Sequence, residues 1–272
     1  MATKVNVLLA EYDTLVDIYQ RKYSSKFSGK DLFEYNEVLF SAHSCAIEGN
    51  SFSVNETREL KEHGLNLKLQ NKSMLEAFEI LDHFKAFEFL FNDLKRPLSE
   101  ELLIETHRIL TENTIQYMKG YKPGEYTRTR MAAGDTIFPD HEKSIKSVPV
   151  LMEQTQQALD NNKVHPIEIS AKFHQFFIYL HPFPDGNGRV GRLLSNYILA
   201  KKEQPLIIIK KEQKEKYIES LKIAHKHNDP DPIMSFFIET SIERMKSEIK
   251  QMDKKIPQTT EKAKGKGLSF IF

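Results

Sequence analysis

Residues His181 to Arg192 read HPFPDGNGRVGR, and the fold turns on them. Pro182, Pro184, Gly186 and Gly188 crowd too closely for a helix interior, where glycine costs about 1 kcal/mol and proline about 3 relative to alanine. Asp185-Gly186-Asn187-Gly188 is therefore read as a turn, with a helix starting near Asn187 or Gly188. In the continuation RVGRLLSNYIL, at about 100° per residue, Val190, Leu193, Leu194, Tyr197 and Ile198 share one side. Arg189, Arg192 and Asn196 fall within an arc of about 60° on another. Two arginines thus sit in the first turns of a helix, where the dipole is positive and cations are disfavoured. An anion at that helix N-terminus removes the conflict. Glycines let backbone N–H groups approach it, and the dipole and guanidiniums then act together. Arginine forks match phosphate oxygens in pairs, so two of them suit more than one phosphate group.

Asp185 would repel phosphates by itself. With Mg²⁺ between them it attracts, because Mg²⁺ is usually held by one or two carboxylates plus substrate phosphates. His181 lies just before, its backbone restricted by Pro182, and a neutral imidazole accepts a proton from an attacking hydroxyl. Phe183 is expected to anchor the loop in the core. Taken singly, each residue fits an ordinary solvated loop; the twelve together point to an anion site. A zinc site on His181 and Asp185 is a weaker reading, because the two prolines make a helix through that spacing implausible.

The 272 residues can bury a sizeable core. A net charge of +1 does not announce nucleic acid or an acidic membrane as partner. One cysteine, Cys45, excludes an internal disulfide framework and suits a reducing compartment. No long uncharged apolar run is present, so no membrane partner is expected, and the expectation is a cytoplasmic protein. Most of the chain carries a helical period, as in EAFEILDHFKAFEFLF from Glu76 to Phe91. Ser99 is read as an N-cap with Glu100 and Glu101 in the first turn. Tyr121 to Ser144 breaks the habit and reads as a loop with a short hairpin. The fold expected is all-α, with that hairpin and an N-terminal helical extension. Its divisions are an N-terminal region over 1–72, a core over 73–252 and a flexible tail over 253–272.

At this point the residues resemble a known family. HPFPDGNGRVGR matches the Fic signature His-x-Phe-x-Asp/Glu-Gly-Asn-Gly-Arg-x-x-Arg at every specified position. HPIEISAKFHQFFIYLHPF and YKPGEYTRTR resemble Fic proteins too, and the resemblance runs from about Glu34 to Phe237. It implies a helical Fic domain that transfers AMP from ATP, with Mg²⁺, to a Ser, Thr or Tyr hydroxyl of a target protein. His181 would be the general base and Asp185 the metal ligand. Gly186, Asn187 and Gly188 would form the anion cradle, with Arg189 and Arg192 clamping phosphates and Arg192 at the γ end. Thr136, Ile137 and Phe138 would be the flap that docks the target backbone by strand addition.

Ser44 to Asn50, SCAIEGN, resembles the Fic inhibitory motif Ser/Thr-x-x-x-Glu-Gly/Asn. Physics supports a special role. LFEYNEVLFSAHSCAIE is helical by period, Gly49 is a natural stop, and Ser53 to Glu56 makes a capping box for the next helix. Glu48 therefore ends a helix, where a carboxylate is disfavoured by roughly 0.3–1 kcal/mol. Pairing Glu48 with Arg192 would relieve one misplaced anion and one misplaced cation, and would occupy the arginine needed for the γ-phosphate. Ser44 would hydrogen-bond Glu48 one turn away or face its own helix carbonyls. The leading expectation is an autoinhibited protein adenylyltransferase. The alternatives are removal of AMP from a modified protein and a catalytically weak nucleotide-binding regulator. A homo-oligomer that releases inhibition is left open, and no nucleic-acid partner is expected.

Overall fold

The computed structural model describes residues 4–66, 71–117, 120–133 and 136–255. Ten α-helices occur among them. In chain order they are α1 (Lys4–Lys22), α2 (Gly29–Ile47), α3 (Val54–His63), α4 (Met74–Phe91), α5 (Glu100–Leu110), α6 (His141–Asn161), α7 (Pro166–Leu180), α8 (Asn187–Ala200), α9 (Lys214–His227) and α10 (Asp231–Lys255). A two-stranded hairpin, β1 (Ala132–Ala133) and β2 (Thr136–Ile137), precedes α6 and pairs Ala132 with Ile137 and Ala133 with Thr136. The all-α expectation holds. The hairpin tip, 134–135, and the tail beyond Lys255, where flexibility was expected, lie outside the described residues.

Local chemistry sets the helix starts. Ser53 with Glu56, and Ser73 with Glu76, form complete capping boxes at α3 and α4. Ser99 caps α5 by accepting from the Leu102 N–H at 3.2 Å. The loop expected through Ser144 ends sooner. Asp140 caps α6, which starts at His141 and runs through Pro149. Ser144, Val148, Met152 and Thr155 keep one buried stripe along that helix, so packing offsets the donor that Pro149 lacks.

Three apolar clusters hold the helices. One gathers Tyr12 and Tyr19 of α1 with Tyr217 of α9 and Phe237 of α10. A second joins Phe87, Leu103, Met152, Phe173 and Leu193 across α4 to α8. The third packs Val38 and Cys45 of α2 against Leu60 of α3 and Phe84 of α4. α8 is the central element. The apolar side read from its sequence, Val190, Leu193, Leu194, Tyr197 and Ile198, is fully buried, and Arg189, Arg192 and Asn196 are buried too. No helix among the described residues is long and apolar enough to cross a membrane.

A polar clamp ties the first helices to the last. Arg244 donates to Glu248 Oε1 at 2.9 Å, to the Leu206 carbonyl at 2.7 Å and to Asn36 Oδ1. Glu248 accepts from Tyr19 at 2.7 Å and from Tyr35 at 3.0 Å. Both charged side chains are nearly buried. Removing one partner of such a pair leaves an uncompensated buried charge, which costs about 3–5 kcal/mol. Arg244→Ala is therefore expected to lose about that much unfolding free energy in urea titrations. A loss under about 1 kcal/mol, the size of a single ordinary hydrogen bond, would contradict the clamp.

Candidate active site

α7 and α8 lie against each other, and the loop between them carries the signature residues. His181 closes α7 in the left-handed region, φ 47°, with its N–H on the Phe177 carbonyl at 3.1 Å. The next five residues are tightly held. Asn187 brackets Phe183, donating through Nδ2 to its carbonyl at 2.7 Å and accepting its N–H at 3.0 Å. Phe183 is fully buried and stacks on His107 of α5 at 3.8 Å. His107 Nδ1 accepts the Gly124 N–H at 3.0 Å, so Nε2 carries the proton and donates to the Asp185 carbonyl at 3.1 Å. Burial pushes His107 down to about 4. The Asn187 side chain is thus spent on the loop itself, leaving only its backbone for a bound anion.

Gly186 begins α8 with φ 77° and no side-chain cap, so the first N–H groups of the helix are left for another acceptor. A Cβ on Gly188 would overlap Oε1 of Glu48 and touch Arg192. Glycine there lets a carboxylate reach the helix end. Arg192, 3% exposed, donates from Nη2 to Glu48 Oε1 at 2.7 Å and to the Ser44 carbonyl at 2.8 Å, and from Nε to Ser44 Oγ at 3.1 Å. Ser44 therefore serves Arg192, not Glu48. Burial pushes the Glu48 carboxyl up, but Arg192, backed by Arg189 and Lys214, outweighs it and holds Glu48 below the ordinary carboxylate range. Gly49, with φ 110°, turns the chain away directly afterwards. Arg189, buried like Arg192, donates from Nη2 to Asp185 Oδ2 at 2.7 Å.

Glu48, Gly188, Arg192 and His181 line one cleft of about 250 Å³, together with Ile218 and His225 of α9. The hairpin contributes Thr136, and Phe138 just after it also lines the cleft. Phe138 is buried and stacks on His181 at 3.9 Å with the rings 10° apart. Ile137 points outward and is 67% exposed. Nδ1 of His181 faces the Ile178 carbonyl at 3.4 Å, which puts its proton there and leaves Nε2 as the basic nitrogen. Burial lowers His181 to about 4, so it is neutral at pH 7.

Asn196, on the arginine face, takes a structural role: its amide pairs with both the N–H and the carbonyl of Ile207. His107, expected from its helical pattern to be a packing or surface residue, fixes the loop, while Tyr217 and Lys214 line the cleft without any local signal in the sequence. His107 gave no sign beyond a helical position, and its role follows only from contact with Asp185, 78 residues away.

A left-handed histidine, a glycine turn and two buried arginines meet at a bare helix N-terminus, an arrangement suited to an anion. Residues 97–199 match the Fic/DOC family model. The protein adenylyltransferase Fic of Drosophila grimshawi is 31% identical over 199 residues, covering 71% of this chain and 39% of that protein. Its namesake from Nematostella vectensis is 32% identical over 197 residues, covering 71% and 44%. A Fic-domain signalling protein from Bacteroides thetaiotaomicron shares the fold at a TM-score of 0.74 and 22% identity, covering 93% of this chain and 97% of that one. IbpAFic2 covalently tethered to Cdc42 shares it at 0.55 and 18%, covering 88% and 70%. The chain belongs to the Fic family, and spans about two fifths of the length of the curated relatives it matches.

His107 and His174 are fully buried, with pKa values lowered to about 4 and about 3 by burial. Unfolded, each takes up a proton near pH 6.5, so below that the unfolded state binds more protons. Their contribution is complete above pH 6.5 and shrinks toward pH 4, by about 1.4 kcal/mol per pH unit for each histidine. Denaturant midpoints are expected to fall steadily between pH 7 and pH 5, and a flat profile would count against neutral burial. His181, followed by NMR in the free protein, is expected to titrate well below 6.5.

Proposed function

We propose that the chain transfers AMP from ATP to a Ser, Thr or Tyr hydroxyl of a protein and that Glu48 restrains it. The observation that carries this is the Glu48–Arg192 contact at the uncapped N-terminus of α8, in the same cleft as Nε2 of His181. The relatives named protein adenylyltransferase support the reaction class. The structure of IbpAFic2 tethered to Cdc42 supports a protein as the target.

In this reading the polyphosphate lies along the glycine turn, with Arg189 and Arg192 neutralising it. Asp185 is suited to Mg²⁺: it is a single carboxylate, 44% exposed, beside the phosphate cradle. When bound with the phosphates, the ion supplies positive charge against theirs. His181 Nε2 takes the proton of the target hydroxyl, that oxygen bonds to the α-phosphorus, and the bond to pyrophosphate breaks. The product is an AMP ester of the protein, and pyrophosphate leaves. The His181 ring is pre-set by the Ile178 carbonyl and by the face of Phe138. β2 offers a short edge for strand addition of the target next to His181. Arg192 grips the γ end only when Glu48 withdraws.

Glu48→Gly is expected to raise self-labelling from α-phosphate-labelled ATP at least tenfold, on the scale of a truncated charge pair. No rise, with folding intact, would sink the inhibition claim. His181→Ala in that background should lose labelling by a factor of about 10² or more while still binding nucleotide. Undiminished transfer would refute the base assignment. A second reading draws on the 38% exposure that the Glu48 side chain retains. An open carboxylate in this cleft could orient water for removal of AMP. Release of AMP from a modified target by the unsubstituted chain, without such release by Glu48→Gly, would favour that direction.

A further inference from the structure

Arg189 is buried, yet its Nε and Nη1 have no hydrogen-bond partner. Besides Asp185, the carboxylate nearest to it is that of Glu79 on α4, whose Oε1 lies 3.5 Å from Nη1. Glu79 belongs to no signature and does not line the cleft. Its other oxygen, Oε2, accepts from Asn50 Nδ2 at 2.9 Å. Asn50 follows Glu48 by two residues and is itself buried. The same Nδ2 donates to the Glu76 carbonyl at 2.9 Å, and the Asn50 N–H donates to the Cys45 carbonyl at 3.2 Å. The Cys45 thiol in turn faces the Glu79 carbonyl at 3.8 Å. One carboxylate on α4 therefore touches both the arginine of the phosphate cradle and the turn that leaves α2 just after Glu48.

We propose that Glu79 is a positioning residue serving both halves of the site: it aims Arg189 into the phosphate cradle and, through Asn50, sets the turn that seats Glu48. The first half rests on the nucleotide reading above; the second does not. If Asp185 turns toward a metal ion, Arg189 keeps Glu79 as its carboxylate partner, and a buried guanidinium without one is costly. A carboxylate can face two donors at once, one through each oxygen. An amide cannot, because its nitrogen is itself a donor. Glu79→Gln therefore satisfies either Arg189 or Asn50 but not both, whereas Glu79→Asp keeps two acceptors on a shorter stem.

Two measurements test this. In Glu48→Gly, adding Glu79→Gln is expected to weaken Mg·ATP binding by calorimetry about tenfold, and Glu79→Asp by about threefold or less. In the chain with Glu48 intact and no nucleotide, Glu79→Gln is expected to speed amide exchange at Glu48, Gly49 and Asn50 about tenfold. Those N–H groups are now held by the Cys45 and Ala46 carbonyls. Exchange at the core of α8 should stay unchanged. Unaltered exchange at 48–50 overturns the proposal whatever the nucleotide result. So does an ATP affinity that Glu79→Gln leaves within twofold, or that both substitutions lower equally. Should Glu48→Gly bind no Mg·ATP at all, the nucleotide reading fails, and the exchange arm alone judges the link from Glu79 to Asn50.

Discussion

Two guanidiniums buried at the positive end of one helix are the constraint to which the rest of this molecule answers. Arg189 and Arg192 are 2% and 3% exposed, both in the first turns of α8. Dipole, mutual repulsion and desolvation all work against them. The chain supplies carboxylates from three separate places: Glu48 at the end of α2, Asp185 in the preceding loop and Glu79 in the middle of α4. These offset the cost incompletely, as the unpartnered Nε and Nη1 of Arg189 show. A site that is nearly neutral at rest, yet has donor capacity left over, is suited to an exchangeable anion. The carboxylate that leaves most easily is the one with solvent at its back, and among the three Glu79 is less exposed than Glu48 or Asp185.

Local sequence revealed a good deal of this. The turn at Asp185 to Gly188, the phase of α8, the capping box at Ser53, the N-cap at Ser99 and the helix end at Glu48 are all decided within a few residues. Near-neighbour rules of capping, glycine conformation and periodicity suffice for them. The pairing of Glu48 with Arg192, 144 residues apart, was legible through the resemblance of SCAIEGN to the Fic inhibitory motif, and it fitted two residues each electrostatically wrong for its own helix. A misplaced charge advertises that a partner lies elsewhere.

Residues that are locally unremarkable gave no such signal. His107 sits at an ordinary position in α5, and Glu79 on an acceptable face of α4. Ser44 could have satisfied its hydroxyl within α2, and its partnership with Arg192 depends on how close α2 and α8 come. Phe138 was read as part of the hairpin, but its stacking on His181 depends on where the hairpin folds back. The start of α6 at His141 lay inside the stretch read as a loop, and packing of Ser144 and Val148 extends the helix there. In each case tertiary contact overrides or assigns what local preference left open.

The proposed restraint has a size that follows from its setting. Glu48 is tethered by Gly49 and by the Asn50 contacts, so it meets Arg192 at a high effective concentration. Yet its side chain is 38% exposed. Its pairing therefore lies between an exposed bridge, worth about 0–1 kcal/mol, and a buried one, whose disruption costs about 3–5. A balance of about 2–3 kcal/mol would leave the open state populated at roughly a few per cent to one per cent. Apparent nucleotide affinity would then drop by the same factor. Restraint of that kind is graded. Any event that shifts the end of α2 by a contact or two, at Ser44 or at Asn50, would change the open population several-fold without altering the machinery around His181.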